Sequence, residues 1–328
     1  MSFLSSLMNA LPGAAAQGLA WGIMAIGVYI TYKILDIADL TVDGSFCTGA
    51  AVFVVLFNGG GYTWSSMLLA LLAATVAGML AGLVTGFLHT FCGIPAILSG
   101  ILIQLGLWSV NMAVMSMKAT VAIPVTNQES LNHLLVSLRF VQDVAKGARP
   151  FYRHPIFSIG LCTLVLIALL YWFFGTELDG ALRATGSNRN MSRAQGINTN
   201  FTTVLGLMLS NGLVALSGAL MAQYNSACEI NMGRGAIVIG LAAVIIGEVA
   251  FSKIFHNFGL KLLSVSIGAI LYYIVIQAVL SMGLNSNYLK LLSAVVVAVF
   301  LSIPCWKGKY VHVKVKSAAA DKGGAHNA

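Results

Sequence analysis

The chain has 328 residues, 58% of them hydrophobic and only 9% charged, with a mean hydropathy of +0.88. Soluble domains carry about 25% charged residues, so this composition excludes a soluble enzyme and indicates an integral membrane protein. The net charge of +8 is not a nucleic-acid footprint: the basic residues fall in loops and the tail, where they orient spans and meet anionic membrane lipid.

Apolar runs of about 18–25 residues suit a hydrocarbon core about 30 Å thick, and the period-2 alternation of a membrane barrel is absent. The predicted fold is an all-α polytopic membrane protein of about nine (8–10) transmembrane helices. They lie near 14–35, 44–58, 64–88, 94–117, 155–175, 200–222, 236–255, 258–280 and 288–305.

Beyond the first span stand Asp36, Asp39 and Asp43, at i, i+3 and i+7, which share one face if the stretch is helical. Two readings are open: a cation or proton site of a secondary transporter, or an acidic turn at the membrane boundary with Asp43 capping the next helix. Their position at a predicted boundary favours the second. The next span is short, about 22 Å of helix, which fits a half-helix or a buried segment starting at Asp43-Gly44. Gln104 and Asn111 lie seven residues apart on one face of the fourth span, and Asn211 and Ser217 mark the sixth. Such residues line a polar pathway or bond between helices. Glu248 sits inside the apolar run of the seventh span. A carboxyl there needs a partner or water, so it either ties helices together or lines a pathway.

Two spans echo each other. Gly44-x4-Gly49-Ala-Ala-Val52 opens the second and Gly235-x4-Gly240-Leu-Ala-Ala-Val244 the seventh, and in the predicted topology they run in opposite directions. An inverted repeat, with a pathway at its interface, gives this pattern; so do two unrelated helices that need small residues for close packing.

Orientation follows from the basic segments. The run 176–199 carries Arg183, Arg189 and Arg193, and the tail carries Lys307, Lys309, Lys314, Lys316 and Lys322. Placing both in the cytoplasm puts the N-terminus outside, the C-terminus inside, and the loop 118–153 outside although it too is basic. The transmembrane domain is expected over 1–306 and a disordered basic tail over 307–328.

Enzymatic motifs are missing. No G-x-x-x-x-G-K-[ST], H-E-x-x-H or G-x-S-x-G occurs, so the chain does not hydrolyse ATP through a P-loop and no zinc or serine-hydrolase site is expected. The five cysteines, at 47, 92, 162, 228 and 305, have no metal or redox spacing and read as small packed residues.

The most polar interior stretch is GALRATGSNRNMSRAQGINTN, residues 180–200, flanked by nearly pure hydrocarbon. It is a solvated loop or a docking surface. Glu177 to Gly186 fit one or two short helical turns, with Asp179 as cap and Gly186 as stop. Leu178 and Leu182 then share a face, and the glycines allow a partner's backbone to approach.

Gly180, Arg183, Ala184, Gly186, Asn188, Ala194, Gly196, Ile197 and Asn198 together resemble the cytoplasmic coupling loop of ABC-importer permeases of the branched-chain amino acid and ribose type. ADLTVDGSFCTGAAV at 38–52 and GRGAIVIGLAAVIIGE at 233–248 are similar to a tryptophan/tyrosine-type subgroup. The resemblance implies a type II importer fold in a bacterial inner membrane and two permease copies, the pair being a homodimer. It also implies separate ATPase subunits that bind ATP and Mg, and an extracytoplasmic substrate-binding protein. This chain itself would carry no cofactor. The coupling residues would be Leu178, Asp179, Gly180, Leu182, Arg183, Ala184, Gly186, Asn188 and Gly196. Asp43, Gln104, Asn111, Asn211 and Glu248 remain candidates for the pathway or for helix packing, and a carrier or channel driven by an ion gradient is the alternative.

Overall fold

The computed structural model describes residues 3–124, 131–145, 154–251, 257–281 and 293–300, with single positions 255, 291 and 302. Its elements are α1 (Phe3–Tyr29), prolonged by a π-turn at Ile30–Ile34, α2 (Val42–Gly59), α3 (Trp64–Thr90), α4 (Ala96–Val114), β1 (Thr120–Ala122), α5 (Leu138–Ala145) and α6 (Pro155–Phe173). There follow α7 (Glu177–Ser187), α8 (Arg189–Ala194), α9 (Thr199–Asn225), β2 (Ala227–Glu229), α10 (Ala236–Phe251) and α11 (Phe258–Ser281). Residues 293–300 are helical.

The fold is all-α and polytopic. Among the described residues seven helices are long and apolar enough to cross a membrane: α1 from Ala10, α2, α3, α4, α6, α9 and α11. The apolar α10, at 16 residues, is shorter. The predicted tail, 307–328, lies outside the described residues, as do Cys305 and much of the predicted last span.

Helix starts follow local chemistry. Thr63 and Ser66 cap α3 reciprocally: the Thr63 hydroxyl accepts from Ser66 N (3.2 Å) and the Ser66 hydroxyl accepts from Thr63 N (3.0 Å). Pro155 opens α6, where its missing N–H costs nothing.

The axis of the bundle is α9, about 40 Å long. It runs antiparallel to α1 in a fixed register: Ser210 donates to the Gly27 carbonyl (2.8 Å), Ser217 to Ala20 (2.8 Å) and Tyr224 to Gly13 (3.2 Å). The seven-residue step keeps one seam facing the partner helix. Small residues bring the other neighbours in to backbone contact. A Cβ on Gly78 or Gly82 of α3 would overlap α9 carbonyls, and one on Gly49 of α2 would overlap Ala215. Lipid offers no hydrophobic drive between helices, so such close packing supplies the association.

Two helices begin at the middle of this bundle. After the π-turn the chain reverses at Asp36, whose φ of +54° is left-handed. Residues 35–41 then fold back inward, and Asp39 accepts from Asn211 Nδ2 at 2.7 Å, near the midpoint of α9. From there α2 departs, its Phe46 stacked on Trp21 at 4.7 Å. On the opposite side, α9 leads into β2, which pairs antiparallel with β1 in the register Thr120↔Glu229. Residues 230–235 return inward until Gly233 rests on the Asp43 carbonyl, and α10 starts there. It runs the other way, bringing Glu248 to Lys33.

The echoed segments therefore meet at their N-termini and leave in opposite directions. This corrects the acidic-turn reading. Asp36, Asp39 and Asp43 do not share a helix face, and only Asp36 is exposed. Asp39 and Asp43 lie deep in the bundle because the chain re-enters it.

Candidate functional site

Two places gather the candidate residues: a polar corner at one end of α9 and the junction where α2 and α10 begin.

The corner consists of α7 and α8. Thr176, not Asp179, precedes α7; Asp179 sits inside the first turn with Glu177, where carboxylates oppose the positive helix end. Gly186 does not stop the helix, which runs three turns to Ser187. Asn188 breaks it and caps α8 by accepting from Met191 N at 3.0 Å, and Gly196 (φ +83°) ends the corner. A Cβ on Gly186 would overlap the Ile34 carbonyl, so this glycine seats α7 on the end of α1 in its own chain rather than admitting a partner.

The leucine pair also divides. Leu182 is fully buried and packs with Leu35 against Gly206, whereas Leu178 is 41% exposed. Ala184 is half-buried, while Gly180, Asn188 and Gly196 are exposed. Arg183 donates to Asp179 (2.6 Å) and lies 4.4 Å from the centre of the Phe258 ring. Arg193 donates to Thr199 (2.8 Å), and Thr185 shares a hydrogen bond with Thr202 (2.9 Å). The outcome is a surface of exposed Leu178, Met191, Arg183 and Arg193 fixed to the end of α1 and the start of α9.

At the junction the Asp43 carboxylate accepts from Gly235 N (2.9 Å) and Ile237 N (3.0 Å). Asp43 thus caps α10 rather than its own helix. Asn211 also accepts from Ser45 Oγ (2.6 Å), and Thr41 meets Thr85 (2.8 Å). Asp39 and Asn211 are consequently held inside a satisfied buried network, and Ser217 bonds to α1; none of the three faces an open path. Glu248 is not a lone carboxyl but pairs with Lys33 at 3.1 Å near the end of its helix.

Gln104 and Asn111 do come together with Asp43. They line a cavity of about 170 Å3 with Trp108 of α4 and Arg234 of the returning loop. Sequence reasoning missed Arg234 and Lys33 as functional candidates. The available signals were an arginine between two glycines ahead of an apolar helix, and the lone charge in the first span. The histidines serve local structure where their bonds are seen: His89 contacts the Ile94 carbonyl (2.9 Å) and His154 Nδ1 accepts from Ile156 N (3.3 Å) at the start of α6. Cys47 and Cys228, far apart in sequence, are buried neighbours, whereas Cys92 is exposed rather than packed.

The family described as "Branched-chain amino acid transport system / permease component" matches residues 11–303. The chain belongs to this permease family. The permease is 37% identical over 295 residues to the tyrosine transport system permease protein of Clostridioides difficile, covering 90% of this chain and 91% of that one. It is 33% identical over 297 residues to an uncharacterized protein of Rickettsia prowazekii, covering 90% and 98%. The autoinducer 2 import system permease protein LsrC of Salmonella paratyphi B is 25% identical over 233 residues, 70% of this chain and 60% of that one. No solved structure matches the permease. As a multi-span transport component it is an integral membrane protein, and its family is not one of enzymes.

Proposed function

We propose that this permease is the membrane subunit of an ATP-driven importer for an amino acid, with an aromatic amino acid such as tyrosine as the substrate class. It works as a homodimer with two ATPase subunits, which bind the ATP and Mg, and with an extracytoplasmic substrate-binding protein. The α7–α8 corner is its cytoplasmic docking surface, the loop 118–153 and the N-terminus are outside, and the tail is inside.

One observation carries the reading: the corner exposes Leu178, Arg183, Met191 and Arg193 while Gly186 and Leu182 anchor it to the end of α1. A partner that moves such a corner moves the bundle, which is what transmission from a separate ATPase requires. The similarity to the Clostridioides tyrosine permease supports the substrate class. The carboxylates a gradient-driven carrier would use have other tasks: Asp39 and Asp43 hold backbone and Asn211 hydrogen bonds, and Glu248 is paired.

The test is uptake of L-tyrosine into proteoliposomes holding the permease, its ATPase and its binding protein. ATP-dependent accumulation that survives a protonophore is expected; accumulation that collapses with the proton gradient at constant ATP overturns the reading. Orientation is checked by labelling Ser187→Cys in intact cells, where an impermeant reagent is expected not to react.

A further inference from the structure

We propose that the cavity at the α2–α10 junction is a transit site for the zwitterionic head group of an amino acid, halfway across the membrane. This rests on the amino-acid importer reading and adds the residues that would hold the solute.

Depth comes first. The cavity is lined by Asp43, at the start of α2, two residues from the Ser45 that bonds Asn211 near the midpoint of α9. Lipid head groups lie about 15 Å away from that level, so a phospholipid head does not explain polar groups there.

Two of those groups lack an internal purpose, and a third has bonding capacity to spare. Asn111 is 1% exposed, yet neither its amide nitrogen nor its oxygen has a hydrogen-bond partner. The Cys47 thiol lies against this amide, but a thiol is a weak donor and acceptor, and this one donates to the Ile230 carbonyl at 3.3 Å. Buried amides are nearly always satisfied, so an unpaired one lining a cavity fits a ligand that comes and goes. Arg234 is exposed on the returning loop, and its guanidinium makes no hydrogen bond or ion pair among the described residues. A cation at this depth belongs to a watered path or to a transient anion. Each Asp43 oxygen accepts one backbone amide and retains a lone pair.

The set matches a zwitterion. A guanidinium grips a carboxylate in bidentate fashion, which gives Arg234 the substrate carboxylate. Asp43 and the Gln104 oxygen accept from the ammonium, and the Asn111 amide spans the two. Trp108, 43% exposed, offers a ring face for an apolar or aromatic side chain.

The experiment uses the complete permease–ATPase complex in nanodiscs, with the five permease cysteines (47, 92, 162, 228 and 305) replaced by serine to remove competing thiols. The thiol introduced by Gln104→Cys, which gives up one ammonium contact and leaves those of Arg234, Asp43 and Asn111 in place, is labelled with a water-soluble maleimide, with and without millimolar L-tyrosine. Tyrosine is expected to slow labelling about tenfold, the protection is lost with Arg234→Gln and partly restored with Arg234→Lys. In proteoliposomes Asn111→Leu is expected to lower tyrosine uptake about tenfold. An unreactive thiol at 104, or a labelling rate indifferent to tyrosine while the parent complex imports it, overturns the transit site alone. A parent complex that imports no amino acid overturns the importer reading and the site with it.

Discussion

The Asp43 carboxylate, in the first turn of α2, accepts hydrogen bonds from the backbone amides of Gly235 and Ile237, 192 and 194 residues further on. One re-entrant helix is thereby capped by the first turn of the other. Removing the carboxylate frees two part-buried amides at a positive helix end. Asp43→Ala is expected to destabilise the protein by about 1–2 kcal/mol, and Asp43→Asn by less because it still accepts one bond. Thermal unfolding in detergent reads the difference; equal melting of parent and Ala variant contradicts the cap.

Gly186 and Gly180 make opposite predictions although they sit in the same helix. A Cβ at 186 overlaps the Ile34 carbonyl, and one at 180 meets nothing within 4 Å. Gly186→Ala is expected to lift α7 from α1 and lower both melting temperature and uptake, while Gly180→Ala melts like the parent. Fluorescence-detected size-exclusion after heating ranks the two.

Arg183 is held on the surface by Asp179 and the Phe258 ring. Arg183→Glu is expected to cost about 1 kcal/mol at most, the scale of an exposed pair and one cation–π contact. Its larger effect falls on transmission: ATP hydrolysis persists while uptake drops. Parallel assays of phosphate release and tyrosine accumulation separate the outcomes, and normal uptake removes the corner from the coupling route.

Lys33 and Glu248 form a pair whose side chains are 50% and 36% exposed. Solvent screening limits its worth to under about 1 kcal/mol. Glu248→Gln is expected to leave tyrosine uptake within about twofold of the parent, over the range pH 5.5 to 8. A variant that loses uptake or its pH response would return Glu248 to the pathway.

His154 starts α6, outside the spans, and burial pulls its pKa below the ordinary histidine value. The neutral ring is therefore favoured in the folded state, where Nδ1 accepts from Ile156 N. Its contribution to stability is complete above about pH 6.5 and is lost as pH falls through the depressed value. Melting temperature is expected to fall on acidification below about pH 6, and His154→Gln is expected to flatten that dependence.

The membrane-spanning character was legible because hydrocarbon thickness imposes a length and a composition on each span. The corner was legible as helix but not in its caps, since Thr176 and Asp179 are both sound first residues and three turns give little periodicity. The re-entry of residues 35–41 was hidden for a different reason. Three aspartates at helical spacing look alike at a boundary and in a buried loop; only Asn211, 172 residues from Asp39, sets their depth. Gln104 and Asn111 showed themselves as a polar face, but Arg234 and Asp43, from other parts of the chain, complete the cavity.

The glycine contacts that join α9 to its neighbours have a mechanical consequence. Backbone wedged against backbone leaves no slack for sliding or axial rotation, so α1, α2, α3 and α9 travel together as one block. The outer helices differ in exposure: α4 and α6 have only 17% and 22% of their most apolar stretch buried within the chain, against 78% and 72% for α1 and α9. Since α4 carries Gln104, Trp108 and Asn111, one wall of the cavity belongs to an outer helix, the kind of face that a second copy would cover in the proposed homodimer, while the other wall belongs to the block.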